Sequence, residues 1–409
     1  MSADVAVKSS IFFGTPVVET TWRGQRVRVL EGQYAYKQRH EHGLAAVLSA
    51  SSESTQAVRG AAASNEFGIG VMYSSQRPSA ENGSSVLEGV DNFEWTEPVM
   101  LDHGSAAPND PLFDQQWALD TIEASAAWDL VTSTDNVLIA ILDTGFPLDG
   151  IHPTHEDLGS ARLTAGLNVL VHSAPPRDDH GHGTHVLGIA AADRNNANGI
   201  AGLWGGRVLI IKVFNDQNDG TSISFHDGVA EAVRFAKEIG ARLVVNYSGG
   251  GPDGEVKREA LSRLREAGAL LVAAAGNNNG GAIDFPAAYG ATEECVIAVG
   301  AIDQDRQRPS FASRGSELTV VAPGVSILST TPDYDVTLNG FGIQANYDSL
   351  NGTSQASPIV AATAAMVWSK FPSLTAAQVR EKITSSATEV AGDRKDFGAG
   401  IVNARRALT

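Results

Sequence analysis

The sequence has little of several features that mark specialised classes of protein. Its 409 residues include a single cysteine, Cys295, so no disulfide can form within the chain. No stretch approaches the ~18 consecutive apolar residues of a membrane-spanning helix. Residues 1–20 also lack the apolar core of a secretion signal. We therefore expect a bacterial-type cytoplasmic protein, or a secreted one if a native leader has been removed.

Positive charge is scarce as well. The chain has 30 Lys and Arg against 47 Asp and Glu, which gives a formal net charge of −17. Such an acidic protein repels the phosphates of nucleic acids and anionic membrane surfaces, so we expect neither as a partner. What is present, 43% hydrophobic and 19% charged residues, is the composition of an ordinary globular protein long enough for two domains.

Residues 1–101 have the pattern of a small α+β domain. Strand-like runs lie at Val27–Leu30, Phe67–Tyr73 and Phe93–Met100. Short helical patterns lie at His40–Leu48 and Ser85–Val90. Residues 102–109 follow as a polar linker broken by glycine and proline, and we place the domain boundary there.

From residue 110 to residue 409 the pattern is that of an α/β domain. Apolar runs of strand length alternate with amphipathic segments at Ile223–Ile239 and Glu255–Ala267, which predicts a mostly parallel sheet covered by helices on both faces. The predicted strands are Val137–Leu142, Val208–Phe214, Leu243–Tyr247, Ala269–Ala275, Val296–Ala301 and Leu318–Val321. In such sheets, ligands bind at the carboxyl ends of the strands.

Two candidate catalytic side chains are placed by these elements. Ser354 stands at the start of an apolar helical run, where unpaired N–H groups and the helix dipole favour developing negative charge. Asp143 directly follows the first strand, in Asp-Thr-Gly. An aspartic protease would need a second such motif, and the sequence has none.

A third candidate lies in a histidine-rich segment. His180, His182 and His185 fall within six residues, which raises the possibility of a metal site. A zinc site would call for His-Glu-x-x-His or a Cys/His set, and neither is present. The segment instead predicts a loop leading into a buried helix, with His182 at the helix start.

Taken together, four segments in this order resemble the signatures of the subtilisin-like serine proteases. They read Asp-Thr-Gly at 143–145, His-Gly-Thr-His at 182–185, Ala-Ala-Ala-Gly-Asn at 273–277 and Asn-Gly-Thr-Ser-Gln-Ala-Ser-Pro at 351–358. The resemblance implies a three-layer subtilisin-like α/β fold. It also implies a serine endopeptidase that cuts peptide bonds through an acyl-enzyme.

The resemblance assigns a role to each catalytic candidate. Ser354 would be the nucleophile, His182 the general base and acid, and Asp143 the group that orients the imidazole. Asn277 would donate its side-chain amide to the oxyanion of the tetrahedral intermediate.

Substrate-binding residues are also implied. Ser248, Gly249 and Gly250 resemble the segment that pairs with the substrate backbone, and Gly249 stands where the family commonly has leucine, which should widen the groove. The resemblance makes a second group the opposite wall of the primary specificity pocket: Ala274, Ala275 and Gly276. Asp284 would lie near the floor of that pocket, where a carboxylate favours a basic substrate side chain. A surface or ion-binding role for Asp284 remains an alternative.

A structural calcium site is implied by resemblance to the thermitase-like members. Side-chain oxygens of Asp110, Asp157 and Asn196 would be joined by backbone carbonyls. The carbonyls would be those of Arg194, Asn198 and Ile200.

The N-terminal domain resembles subtilase propeptides, which assist folding and block the active site. We therefore expect an autoinhibited proenzyme that cuts itself within the linker. Two departures from the family pattern stand out: Gln355 follows the nucleophile where methionine is usual, and residues 333–350 are longer than usual, with an Asn339-Gly340 hairpin turn. This long segment either overhangs the leaving-group side of the site or is a surface insertion.

The sequence thus predicts a serine endopeptidase whose partners are peptide or protein substrates and its own N-terminal domain. Two alternatives stay open. One is a processing peptidase dedicated to a single precursor, and the other is a non-catalytic binding protein permanently capped by its first domain.

Overall fold

The computed structural model describes residues 10–12, 15–22, 25–38, 58–61, 69–74, 93–100, 108–131 and 133–409. The chain divides into two compact units, Met1–Gly104 and Ser105–Thr409. The division falls inside the linker that the sequence predicts at 102–109.

The first unit contains an antiparallel sheet. Its strands are β1 (Ser10–Phe12), β2 (Thr15–Trp22), β3 (Gln25–Gln38), β4 (Val58–Ala61), β5 (Ile69–Ser74) and β6 (Phe93–Met100). They are ordered β1-β2-β3-β5-β4, and β6 also pairs with β3. The sequence predicted β6 in full and parts of β3 and β5, but missed the other three strands. The two predicted helices, at 40–48 and 85–90, lie outside the described residues.

The second unit is built on a seven-stranded parallel sheet ordered β10-β11-β7-β12-β13-β14-β15. Its strands are β7 (Val137–Asp143), β10 (Leu163–Asn168), β11 (Arg207–Lys212), β12 (Arg242–Tyr247), β13 (Leu270–Ala274), β14 (Val296–Ile302) and β15 (Val320–Pro323). The apolar runs predict six of these strands to within about two residues of their ends. β10 was missed because its half-buried sequence, Leu-Thr-Ala-Gly-Leu-Asn, contains no continuous apolar run.

Helices cover this sheet in two layers. In chain order, the helices are α1 (Trp117–Thr121), α2 (Ala124–Trp128), α3 (His182–Ala191), α4 (Ser222–Glu238), α5 (Glu255–Glu266), α6 (Thr353–Lys370), α7 (Ala376–Ser385), α8 (Arg394–Phe397) and α9 (Ala404–Ala407). Helix α3 packs on α6, and α4 packs on α5, with the sheet in contact with both pairs. The mostly parallel, three-layer α/β architecture that the sequence predicts is confirmed.

The register of the central strands places the candidate residues at one edge of the sheet. Tyr247, the last residue of β12, pairs with Leu142 of β7 and with Ala273 of β13. Asp143, Ser248 and Ala274 each follow one of these paired residues. Asp143 and both predicted substrate-binding segments therefore leave the sheet side by side.

Helix α6 is a long helix that is almost entirely buried. It contacts β7 and β12–β15, and 16 of its 18 residues are buried. Its apolar residues surround the whole helix, as expected of a helix enclosed within a large core. Pro358 lies in its second turn.

The segment before α6 differs from the prediction. Strands β16 (Ile327–Thr331) and β17 (Asn346–Leu350) form an antiparallel pair, and the chain between them folds into a 3₁₀ helix at Thr337–Phe341. The Asn339-Gly340 hairpin turn was wrong. Asn339 instead caps the 3₁₀ helix, because its side-chain oxygen accepts the N–H of Val336. Two further short strands, β8 (Leu148–Asp149) and β9 (His152–Pro153), pair after β7. Additional 3₁₀ helices lie at Phe113–Gln115 and Ala287–Ala291.

None of the helices in the described part of the chain is both long enough and apolar enough to span a bilayer.

Candidate active site

Asp143 and His182 form a buried pair. Oδ1 of Asp143 lies 2.7 Å from Nδ1 of His182, and the Asp143 side chain is fully buried. Burial lowers the pKa of His182, but the charge and hydrogen bond of Asp143, with a contribution from Asp178, raise it above its ordinary value. The contact fixes the proton on Nδ1 and leaves Nε2 as the basic nitrogen.

His182 begins helix α3, and the start of this helix lies directly against the turn that carries Asp143. A Cβ atom on Gly183 would lie 2.7 Å from the carbonyl oxygen of Gly145, so only glycine allows this approach. The N–H of Gly183 donates to Oγ1 of Thr144 over 2.7 Å. Glycine after the histidine is therefore what lets the imidazole reach the aspartate.

Asp178 holds the same two segments together, and its role was not predicted from the sequence. Its buried carboxylate accepts hydrogen bonds from Thr144 Oγ1 (2.8 Å), Gly181 N (2.8 Å), Thr184 N (2.8 Å) and Thr184 Oγ1 (2.6 Å). Burial raises the pKa of Asp178, but these hydrogen bonds outweigh burial and keep the pKa below its ordinary value. One feature of the sequence could have indicated this role: Asp178 lies four residues before the start of a helix, and the first N–H groups of a helix need hydrogen-bond acceptors.

Lys212, at the end of β11, adds a buried charge to this arrangement. Its ammonium donates to the carbonyl oxygens of Thr144 (2.7 Å) and Arg177 (2.9 Å). It also lies 3.4 Å from Oδ2 of Asp179. The turn after β7 and the segment before α3 are thus fastened to each other from two sides.

Ser354 lies in the first turn of α6 and exchanges hydrogen bonds with Ser248. Its Oγ donates to the carbonyl of Ser248 (3.2 Å), and Oγ of Ser248 donates to the carbonyl of Ser354 (2.9 Å). Within the described residues, no hydrogen bond joins Ser354 to His182. The structure therefore pairs two members of the predicted triad directly, and it ties the third to the predicted substrate-binding segment.

Asn277 lies next to the first turn of α6. Its Oδ1 accepts hydrogen bonds from N (3.1 Å) and Oγ1 (3.2 Å) of Thr353, which leaves Nδ2 free to donate elsewhere. A carbon placed as the Cβ of Gly352 would lie 3.4 Å from Nδ2 of Asn277 and 3.5 Å from N of Ser354. The two donors border one small space, as an oxyanion-binding pair requires.

Gln355 is buried beside this space. Its Oε1 would lie 2.7 Å from the same carbon on Gly352, and its Nε2 is buried without a hydrogen-bond partner in the described residues. A buried unpartnered amide donor costs about 1–3 kcal/mol. The residue after Ser354 is thus polar at a position where packing alone would favour an apolar side chain.

The predicted substrate-binding segments leave the sheet on either side of Asp284. The N–H of Asp284 donates to the carbonyl of Ala275 (2.9 Å), and Gly251 and Phe285 exchange backbone hydrogen bonds. The Asp284 side chain fills the gap between the walls: a Cβ on Gly250 would lie 2.5 Å from its Cβ, and a Cβ on Gly276 would lie 2.3 Å from its Oδ2. A half-buried carboxylate therefore stands between Gly250 and Gly276.

Asn278 and Lys257 lie near the Asp284 carboxylate. Nδ2 of Asn278 donates to Oδ1 of Asp284 over 3.0 Å. Burial lowers the pKa of the nearby Lys257, whereas the charges of Asp284 and Asp253 raise it. The Lys257 ammonium is held by the carbonyls of Pro252 and Phe285, so it does not pair directly with Asp284.

Gly249 borders a cavity of about 560 Å³ together with Phe214 and Tyr247. The space beside its Cα is filled, because a Cβ there would lie 2.4 Å from Cζ of Phe214. The widening expected from glycine at this position is therefore offset in part by the Phe214 ring.

The residues of the predicted calcium site come together in one loop. N–H groups of Asn195 and Asn196 donate to the two carboxylate oxygens of Asp110 (3.0 and 3.2 Å). Asp157 accepts from Nδ2 of Asn196 (2.7 Å) and from N of Ile200 (2.8 Å). The 194–200 loop therefore closes around two buried carboxylates.

The chemistry of this loop fits a hard cation. Burial, followed by smaller contributions from the charges of Asp110 and Asp193, raises the pKa of Asp157 to about 6 despite its hydrogen bonds. Within the described residues, no hydrogen bond is donated to the backbone carbonyls of Arg194, Asn198 and Ile200. Among the same residues no three His, Cys, Asp or Glu side chains converge on one point, so an ion here would rely on carbonyl and amide oxygens besides the two carboxylates.

This geometry agrees with comparisons to known proteins. The model of the subtilase family of peptidases matches residues 134–401, which is more than half of the chain. The chain belongs to the subtilase family. Subtilisin DY of Bacillus licheniformis is 38% identical over 274 residues, covering 66% of this chain and 90% of that protein. Thermitase of Thermoactinomyces vulgaris is 33% identical over 303 residues, covering 74% of this chain and 99% of thermitase.

A solved protease of Pseudoalteromonas arctica has the same fold. It superimposes with a TM-score of 0.61 at 26% identity, covering 74% of this subtilase and 99% of the other chain. The subtilase described here is accordingly a serine endopeptidase, as the sequence predicted, and peptides or proteins are its substrates.

Proposed function

We propose that this subtilase cuts peptide bonds through an acyl-enzyme formed on Ser354. The observation that carries the assignment is the buried 2.7 Å contact between Asp143 and His182, at the same edge of the sheet as Ser354 in the first turn of α6. For attack, the Ser354 hydroxyl exchanges its hydrogen bond to Ser248 for one to Nε2 of His182. His182 then takes the proton as Oγ bonds to the scissile carbonyl carbon.

The rest of the cycle uses groups already in place. The tetrahedral oxyanion accepts hydrogen bonds from Nδ2 of Asn277 and N of Ser354. His182 gives its proton to the leaving amine, and a water molecule then hydrolyses the ester by the same route. Asp143 keeps the Nδ1 proton in place and stabilises the imidazolium. In subtilisin itself, loss of the equivalent asparagine amide lowers kcat by about 10²–10³-fold.

For specificity, we propose that Asp284 selects a basic side chain before the scissile bond. The slot between Ser248–Gly250 and Ala274–Gly276 is narrow, and a carboxylate stands at its base. A lysine or arginine side chain reaching that depth would meet the carboxylate, whereas an acidic one would be repelled.

The 194–200 loop is proposed to hold calcium as a structural ion. Asp110, Asp157 and Asn196, with the carbonyls of Arg194, Asn198 and Ile200, supply an all-oxygen ligand set. Ala197 adopts a left-handed conformation (φ 63°) that costs a non-glycine residue of order 1–3 kcal/mol, which supports a loop held in shape by a ligand. The bound ion would neutralise the buried carboxylates.

The N-terminal unit is proposed to act as an inhibitory propeptide, released by cleavage between Met100 and Ala107. Active protein and its Ser354→Ala variant would be compared by intact mass after expression. Cleavage in the active protein alone supports self-processing, and identical intact N-termini in both would rule it out.

The catalytic assignment is tested by labelling with a fluorophosphonate probe followed by peptide mapping. Ser354 should carry the label, and Ser354→Ala and His182→Ala should not. Ser357, which lies one turn later in α6 and is buried, provides the unlabelled internal control. Absence of label on Ser354, in protein that keeps its N-terminal unit, would instead favour a permanently capped binding protein.

A further inference from the structure

The chain between β16 and β17, called here the 332–345 loop, is fastened to the segment that leads into His182. The N–H of Thr337 donates to the carbonyl of Asp179 (3.2 Å), and the N–H of Leu338 donates to that of His180 (3.0 Å). The hydroxyl of Tyr334 donates to the carbonyl of Asp178 (2.9 Å). Three consecutive carbonyls before Gly181 are thus capped by this loop.

The base of the loop is attached to α3 as well. Oγ of Ser329 donates to the carbonyl of His185 (2.7 Å), and Oγ1 of Thr330 donates to that of Thr184 (2.9 Å). Both residues lie in β16, directly before the loop. The loop therefore has a fixed position relative to the catalytic histidine, unlike a freely moving surface insertion.

The loop turns an apolar face toward Gly181, the residue before His182. A Cβ on Gly181 would lie 3.1 Å from Cγ2 of Val336 and 3.2 Å from Cδ1 of Leu338. In a 3₁₀ helix, residues three apart lie on the same face, so Phe341 lies on the face of Leu338. Phe341 is 78% exposed, the most exposed large apolar side chain in the described part of the chain.

The position of this face relative to the reaction follows from proton transfer. His182 must reach the leaving amine to protonate it, so the leaving-group half of the substrate passes on the His182 side of Ser354. The acyl half lies on the other side, along Ser248–Gly250. The 332–345 loop rests on the backbone next to His182 and therefore borders the leaving-group half.

We propose that Leu338 and Phe341 form one wall of the leaving-group subsite and select an apolar side chain directly after the scissile bond. A large exposed phenyl ring with no partner in the described residues is costly in water, and a substrate side chain would cover it. The inference rests on the catalytic assignment above, because it requires an acyl-enzyme on Ser354.

Partitioning of the acyl-enzyme between water and added amines tests this directly. The protein is expressed as the full chain, left to release its N-terminal unit, and then acylated with a peptide p-nitroanilide, which has no residue after the scissile bond. Phenylalanine amide or glycine amide is then added. Each amine attacks the ester carbonyl, forms a new amide bond and releases the Ser354 hydroxyl, and the ratio of amide to carboxylate product is measured by chromatography.

The wild-type enzyme should favour phenylalanine amide over glycine amide. Phe341→Ala should reduce that preference about three- to tenfold, since loss of an apolar contact equal to one or two buried methylene groups has an effect of this order. Leu338→Ala should reduce it as well, and Phe341→Leu should retain part of it. Ile223→Ala, which removes another strongly exposed apolar side chain from α4, should leave the preference unchanged.

The two assignments fail in different ways. If Phe341→Ala and Leu338→Ala hydrolyse the p-nitroanilide but keep the wild-type preference between the amines, the proposed wall is wrong. If the variants change only the preference for residues before the scissile bond, the loop borders the acyl half and the inference is also wrong. If the wild-type protein forms no acyl-enzyme at all, the catalytic assignment itself is overturned.

Discussion

Asp178 and Thr184 are joined twice, because one carboxylate oxygen accepts both the N–H (2.8 Å) and the hydroxyl (2.6 Å) of the threonine. The other oxygen accepts Thr144 and Gly181. One buried side chain therefore sets the start of α3 against the turn that carries Asp143.

Asp178→Asn should weaken both stability and catalysis. The amide NH₂ of asparagine would face N–H and O–H groups that are themselves donors. This should lower the free energy of unfolding by about 1–3 kcal/mol, measured in a Ser354→Ala background to prevent self-digestion. Because the charge of Asp178 helps to raise the pKa of His182, its loss should also move the acid limb of kcat/KM to lower pH. Asp179→Asn, at the half-exposed neighbour, is the control. A stability loss with no movement of the acid limb would limit Asp178 to a structural role.

The pH dependence of activity should follow His182. Only its neutral form accepts the Ser354 proton, and its pKa lies above the ordinary 6.5, so activity should fall as the pH drops through a value higher than 6.5. The sign for stability is opposite: the imidazolium–Asp143 pair stabilises the folded state below pH 6.5, and this contribution disappears as the pH rises through the raised pKa. Asp143→Asn should lower the pKa and reduce kcat by about 10⁴-fold, as in the well-studied serine proteases. A pH–rate profile that keeps its wild-type acid limb in this variant would contradict the pairing.

Calcium should stabilise the protein more at high pH than at low pH. The pKa of Asp157 is raised to about 6 from 3.8, so burial of its charge costs nothing below pH 3.8 and increasingly destabilises the folded state between about pH 4 and 6. A bound cation offsets that cost only where the carboxylate is ionised. In Ser354→Ala protein, excess chelator should therefore lower the Tm clearly at about pH 8 and less at about pH 5. Asp157→Asn should remove most of the difference, and an unchanged melting curve in chelator would count against the site.

Asp284→Asn should reduce the preference for a basic residue before the scissile bond. Loss of the charge at the base of the slot should lower kcat/KM for an arginyl p-nitroanilide about tenfold, which corresponds to about 1.4 kcal/mol. The value for a phenylalanyl p-nitroanilide should change little. Asp253→Asn, which removes a carboxylate already paired with Arg258, is the matched control. Equal losses on both substrates would show that Asp284 has a structural function.

Gln355 should make the enzyme resistant to peroxide, because no thioether stands next to the nucleophile. Gln355→Met should lose activity faster in peroxide. It should also be more stable to heat, since methionine fills a similar volume without the unpartnered Nε2. Residual activity and Tm, measured before and after the challenge, check both effects. Equal inactivation rates for the two proteins would show that oxidation elsewhere dominates.

The sheet of the second unit was predictable because six of its strands are continuous apolar runs buried on both faces. Such runs need no tertiary information to be recognised. β10 was missed because its Leu-Thr-Ala-Gly-Leu-Asn sequence has no run of this kind.

The candidate site could be predicted where a residue's position in a strand or helix determines its chemical role. Asp143 at the end of a strand and His182 at the start of a helix are examples. The role of Asp178 was not predicted because it depends on five hydrogen-bond donors that only the folded chain brings together. Phe214 escaped for a similar reason: its ring fills space beside Gly249, which is 35 positions later in the sequence. The 3₁₀ helix at Thr337–Phe341 was missed because Asn339-Gly340 permits a turn, whereas the carbonyls of Asp179 and His180 decide which one forms.

The burial of α6 has a consequence for how the protein is inactivated. Ser354 lies in the first turn of a helix that contacts five strands of the sheet, so fraying of a surface element cannot displace it. Its amide protons should exchange only through the largest openings of the domain. Loss of activity on heating should therefore coincide with unfolding of the whole domain, which other copies of the enzyme can then digest. The working lifetime of each enzyme molecule thus depends on the unfolding of the entire domain.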